Sequence, residues 1–130
     1  MISYEELYEY LRKEKFGDNL QKLPMDFMKQ FADFLCENKR RISMKGDFFS
    51  EDVLKYKKEY ENSLTLFNEL MLRRKKKILN LVFVAAETGV MKKDFEEMLD
   101  DEQHLFERLV LAVSDTDKSI NELLDSCSLE

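Results

Sequence analysis

Residues 50–87 read SEDVLKYKKEYENSLTLFNELMLRRKKKILNLVFVAAE, thirty-eight positions without glycine or proline that form one helical stretch. Ser50 is suited to cap a helix start, Glu51 and Asp52 suit its first turn, and Gly89 can end the helix just beyond Glu87. A helix of that length is about 57 Å long at about 1.5 Å per residue, well beyond the diameter of a compact domain of this size. Something else must then cover part of it.

The apolar stripe runs Val53, Tyr56, Tyr60, Leu64, Phe67, Met71, then Arg74, then Ile78, Leu81 and Ala85. Steps of three and four put these side chains on one helix face, so Arg74 falls where a core residue is expected. A guanidinium there needs a partner. It either snorkels to water, or pairs with an acid of its own chain, or meets a carboxylate or backbone carbonyl of a neighbouring subunit. Beyond it, residues 78–86 hold a single polar member, Asn80. A helix apolar on nearly every side calls for enclosure by other helices or by a second chain. Leu64, Phe67, Met71, Arg74, Ile78 and Leu81 on this stripe are candidates for core or subunit interface.

The chain has 130 residues, 44% of them hydrophobic, which suits one domain with a real core. Three glycines and one proline supply little for the tight turns of a β fold, and 37% charged residues favour helices. The expectation is an all-α fold: a bundle of four to five helices with one long central helix.

Other helices can be placed from their ends. Ser3 with Glu6 makes a capping box for a first helix bearing Leu7 and Leu11, running to about Lys15 and stopped by Gly17 and Asp18. Pro24 suits the first turn of a second helix, whose stripe of Phe27, Phe31, Phe34 and Leu35 reads as core. Ser43 to Phe49 reads as a loop. Lys93 to Met98 allows a short turn of helix, and Asp100 with Gln103 opens another bearing Leu105, Phe106, Leu109, Val110 and Val113. Ser114 to Asp117 is a candidate bend before Ile120, Leu123 and Leu124.

The net charge of −6 is unevenly spread: residues 91–130 carry four basic and twelve acidic side chains. That argues against a general nucleic-acid coat, since phosphate affinity comes from clustered basic charge. The run Arg73, Arg74, Lys75, Lys76 and Lys77 is the local exception, open to a solvated face, a charged protein contact or a DNA or RNA contact. Cys36 and Cys127 are too few for a disulfide framework or zinc site, and Cys36, beside the aromatic stripe, reads as buried filler. His104, the single histidine, lies among acids and reads as a surface residue. Asp100, Asp101 and Glu102 could bind a cation weakly, but carboxylates opening a helix are explained by its dipole. No glycine-rich phosphate loop, membrane span or signal peptide is recognisable, so no cofactor, metal or membrane association is expected.

Three segments resemble a known family: Leu20-Gln21-Lys22-Leu23-Pro24-Met25-Asp26-Phe27; residues 70–86 around Arg74-Lys75-Lys76-Lys77-Ile78-Leu79-Asn80-Leu81; and residues 99–109 from Leu99-Asp100-Asp101-Glu102-Gln103-His104 to Leu109. They are similar to the helical A domain of GINS subunits, in the archaeal type with the A domain first. The resemblance implies a cytoplasmic scaffold at replication forks, without catalytic activity. It would assemble with other GINS subunits through long helices and link the MCM helicase to a RecJ-like factor. It also implies a β-rich B domain after the A domain. Nothing after Asp115 reads as strands, so the expected organisation is an A domain over residues 1–125, a tail over 126–130 resembling a cloning remnant, and no B domain. A small helical nucleic-acid-binding module using Arg73, Lys75, Lys76 and Lys77 is the alternative, and a helical enzyme with a metal at Asp100, Asp101 and Glu102 the more distant one.

Overall fold

The structure is a computed structural model that describes residues 1–44, 51–89 and 92–127. These residues form five helices and no strand: α1 (Tyr4–Phe16), α2 (Phe27–Met44), α3 (Glu51–Thr88), α4 (Lys92–Glu96) and α5 (Asp100–Asp125). The all-α expectation holds. The chain divides into two compact units, Met1–Arg74 and Lys75–Glu130, with the division inside α3.

Local chemistry accounts for the helix ends. Ser3 Oγ accepts the Glu6 backbone N–H at 3.1 Å, satisfying a donor of the first turn of α1. Gly17 closes α1 through its N–H to the Lys13 carbonyl at 2.9 Å. A Cβ there would lie 2.9 Å from that same carbonyl oxygen, so the close approach requires glycine. Pro24 lies one turn earlier than expected: its carbonyl accepts the Phe27 N–H at 3.0 Å, in a turn that leads into α2 rather than within it. Met25 and Asp26 complete that turn. Gly89 ends α3 at φ +86°, in the left-handed region, with its N–H on the Ala85 carbonyl at 2.9 Å. The Ser50 cap and most of the expected 43–49 loop lie outside the described residues, although Ser43 and Met44 still belong to α2.

In the first unit α2 and α3 run antiparallel. Phe31 stacks on Phe67 at 4.2 Å between centroids, Lys39 lies over the Tyr60 ring and Arg41 over Tyr56, so partners fall along α3 as residues rise along α2. Phe27 stacks on Phe67 at 6.2 Å and meets Tyr10 of α1 in a perpendicular pair at 5.7 Å. The stripe Phe27, Phe31 and Phe34 is buried, with Leu7, Leu11, Val53 and Leu70. Aromatic contacts of this kind add about 0.5–1.5 kcal/mol each beyond area burial.

The unexpected member of this core is polar. Arg74 is fully buried, and its Nη1 donates to Glu14 Oε1 at 2.7 Å and to the Gln21 carbonyl at 2.6 Å. Glu14, also buried, accepts the Gln21 backbone N–H on Oε2 at 3.1 Å. One carboxylate and one guanidinium thus tie α1, the segment leading to α2, and α3 together.

The second unit buries Ile78, Val82 and Ala85 of α3 together with Met98, Leu99 and Phe106. Phe95 of α4 meets Phe106 of α5 at 6.3 Å. The cap of α5 differs from expectation: Leu99 is the N-cap, Asp100 is the first helical residue, and Glu102 rather than Gln103 reaches back, accepting the Leu99 N–H at 2.8 Å. Gln103 instead donates from Nε2 to the Phe95 carbonyl at 3.0 Å, fastening α4 to α5. The expected bend at 114–117 is absent. Those residues lack glycine and proline, and Asp115, Thr116 and Asp117 are exposed, so their side chains do not interrupt a helix that continues to Asp125.

Removing one partner of a buried pair strands the other, so Glu14→Ala is expected to cost about 3–5 kcal/mol, lowering Tm by roughly 10–15 °C in thermal denaturation. Glu14→Leu combined with Arg74→Met should retain much more of the stability than either charge deletion alone.

Candidate interaction surface

A run of five consecutive residues cannot form one face of an α-helix, because each step turns the side chain by about 100°. α3 disperses the basic run accordingly. Arg73 turns back to Glu69, with Nε to Oε1 at 3.1 Å, and Arg74 enters the core. Lys77 is half-buried, and Lys75 and Lys76 are exposed. The sequence block therefore does not become a continuous basic patch. This weakens a phosphate-binding role, whose affinity grows with the number of cations presented together.

Of the two readings of the stripe, core and subunit interface, its residues serve as core of their own chain. Phe67 is stacked against Phe27 and Phe31, Leu64, Met71 and Leu81 are half-buried, and Arg74 and Ile78 are fully buried. Arg74 pairs with an acid of its own chain, so it has no exposed atom to offer a neighbour. The stripe lies on the core-facing side of α3, which is why a period-3.6 pattern located it. What that pattern could not show is which other apolar residues would stay uncovered. On α3 these are Leu54 and Leu72 in the first unit and Leu79, Phe83 and Val84 in the second, with Phe83 and Val84 62% and 53% exposed. Leu79 and Phe83 sit one turn apart, with Lys76 on the same line.

α5 has the second uncovered region. The line Phe106, Leu109, Val113 continues in register to Ile120 and Leu124. Phe106 is buried and Leu109 and Val113 are half-buried, whereas every residue from 115 to 127 is exposed. Ile120, Leu123 and Leu124 are the apolar members of that end. Between α4 and α5 lies an open groove of about 500 Å³, lined by Phe95, Phe106, Val110, Leu111 and Ser114 with Lys92 and Glu107. A smaller polar crevice of about 280 Å³ in the first unit is lined by Tyr4, Glu5, Lys55, Lys58, Glu59 and Asn62. Its two lysines and two glutamates balance in charge, so it has no preference for an anion or a cation.

Residues considered for chemistry stand apart. His104 is exposed, and its backbone carbonyl accepts from Arg108 Nε at 3.3 Å. Asp100 and Asp101 are exposed, while Glu102 is buried and occupied with the cap. Among the described residues no group of three His, Cys, Asp or Glu side chains is placed to hold a metal ion. Cys36 is exposed rather than buried, because two residues beyond Phe34 the helix has turned roughly 200° away from the core side. Cys127 is exposed on the end of α5. Among the described residues no helix is long and apolar enough to cross a membrane.

One surface cluster joins α2 to α3. Glu37 accepts from Arg40 Nη2 at 2.6 Å and from Arg41 Nε at 3.3 Å, and Arg41 in turn covers Tyr56. The hydrogen bond from Arg40 holds the Glu37 carboxyl below the usual carboxylate range. A carboxyl with a lowered folded-state pKa contributes stability above its unfolded pKa, lost as pH falls through the folded value. The Tm difference between the native chain and Glu37→Gln should therefore shrink as pH is lowered through the carboxylate range, as checked by thermal scans from neutral to acid pH.

No protein-family model, no curated protein and no solved structure matches this chain.

Proposed function

We propose that this chain is a non-enzymatic scaffold subunit of a GINS-like DNA replication complex, in which helices of one subunit are completed by those of another. The observation that carries the reading is the uncovered apolar surface of the second unit: Leu79, Phe83 and Val84 on α3 and Ile120, Leu123 and Leu124 on α5. Fully burying one such side chain is worth about 1.5–3 kcal/mol, and large exposed apolar side chains grouped along a helix are a usual mark of a protein contact. The all-helical fold with a 38-residue helix and the three segments similar to GINS A domains support the same reading.

On this reading the partners are other GINS subunits, in a homo- or hetero-oligomer, together with the MCM helicase and a RecJ-like factor at archaeal replication forks. The residues that meet them shift outward from the core stripe, to Leu79 and Phe83 with Lys75 and Lys76 beside them. Hydrophobic contact would supply the affinity and the lysines the orientation. DNA contact through Arg73, Lys75, Lys76 and Lys77 is secondary.

Mixing the purified chain with a second GINS subunit and with MCM helicase, followed by size-exclusion chromatography with light scattering, is expected to give a joint peak at micromolar concentration. Phe83→Glu should weaken that complex at least tenfold while leaving far-ultraviolet circular dichroism unchanged. Separate elution of every component would overturn the reading.

A further inference from the structure

The exposed side of α3 in the second unit has one sign of charge. Residues 75–86 carry Lys75, Lys76 and Lys77 and no acid, with Glu87 next beyond them. At about 100° per residue, Lys75, Lys76, Leu79 and Phe83 share an exposed sector about 100° wide, on the side of α3 away from the core residues Ile78, Val82 and Ala85. Among the described residues, Lys75 and Lys76 make no hydrogen bond or ion pair.

The end of α5 has the opposite sign. Residues 115–127 are all exposed and hold Asp115, Asp117, Glu122 and Asp125 against Lys118, which lies on the far side of the helix, about 160° around from Ile120. None of these five makes an ion pair among the described residues. The two helices also match in spacing: Lys76, Leu79 and Phe83 stand at i, i+3 and i+7, and so do Asp117, Ile120 and Leu124. Each set is a cation or an acid followed by two apolar side chains on one helix face. Leu79, Phe83, Ile120 and Leu124 are all exposed in the single chain, so the two faces do not cover each other within it.

We infer that the end of α5 from a second copy of this chain packs on the outer side of α3, parallel to it, with Ile120 and Leu124 against Leu79 and Phe83 and with Asp117 beside Lys76. The charges select the direction. In parallel register Asp117 meets the lysines and Glu87 falls beyond Leu124, whereas the antiparallel arrangement would set Glu87 beside Asp117. This deepens the scaffold reading, on which it rests, by naming the partner as a second copy and the face that receives it. Every chain carries both halves, so each molecule both gives and receives.

Light scattering on the full chain, from about 5 µM to about 500 µM, spans the affinities expected of one helix on one helix face. The mass is expected to rise with concentration from 15.6 kDa to at least twice that value. Ile120→Glu with Leu124→Glu, at exposed positions, should hold the chain at the monomer mass with unchanged helicity. Lys76→Glu and Asp117→Lys should each weaken self-association by about three- to tenfold, through like charges brought together. The two substitutions combined in one chain exchange the signs of the pair and should return the association to near the native strength.

A native chain that stays at the monomer mass throughout, assembly that survives loss of Ile120 and Leu124, or a charge exchange that fails to restore association would each overturn the inference. A monomeric chain that still joins a second GINS subunit would remove the self-docking and leave the scaffold reading. Self-docking without any replication partner would do the reverse.

Discussion

The first unit is organised around a charge that the hydrophobic pattern has no place for. Arg74 occupies a core position of α3, is fully buried, and is held by Glu14 and the Gln21 carbonyl. Desolvating both ions is costly, and their attraction offsets that cost only when the geometry is good and the remaining donors and acceptors are satisfied. Here the carboxylate also accepts the Gln21 N–H, so the pair fixes a connecting segment as well as two helices. An apolar contact of the same size would tolerate small shifts of α1 along α3. A guanidinium aimed at one carboxylate and one carbonyl is far less permissive.

The aromatic layer complements this directional contact. Phe67 stacks on both Phe27 and Phe31, and Tyr10 is perpendicular to Phe27, so α1, α2 and α3 share one ring cluster. Farther along, Lys39 over Tyr60 and Arg41 over Tyr56 keep α2 on α3 where the contacts become solvent-exposed. The second unit is built differently. Its core is aliphatic with Phe106, and its polar fastenings are the caps around Leu99 and Gln103. The surface proposed for assembly therefore belongs to the unit whose own core is smaller.

Much of the helical framework is legible along the chain because helix ends have local causes. Ser3, Gly17 and Gly89 mark boundaries through hydrogen bonds to residues three or four away, and those partners are fixed by sequence distance. The errors arise where a local signal is ambiguous. Pro24 is compatible with a turn as well as with a first helical position. The polar residues 114–117 are compatible with an exposed helix as well as with a bend. At the α5 start, three consecutive acids leave open which one takes the cap, and the buried position of Glu102 decides it.

The class of fold, the extent of the long helix and the oddity of an arginine in its apolar stripe are all readable along the chain, since periodicity and capping depend on near neighbours. Local pattern gave no sign that Glu14, sixty positions away, would receive Arg74. Nor did it show that the stripe would be spent inside the chain while Phe83 and Leu124 remained outside. Those outcomes depend on which helix faces meet, and periodicity shows that a face is apolar without showing what covers it. Tertiary packing alone separates the greasy residues that hold the molecule together from those left for a partner.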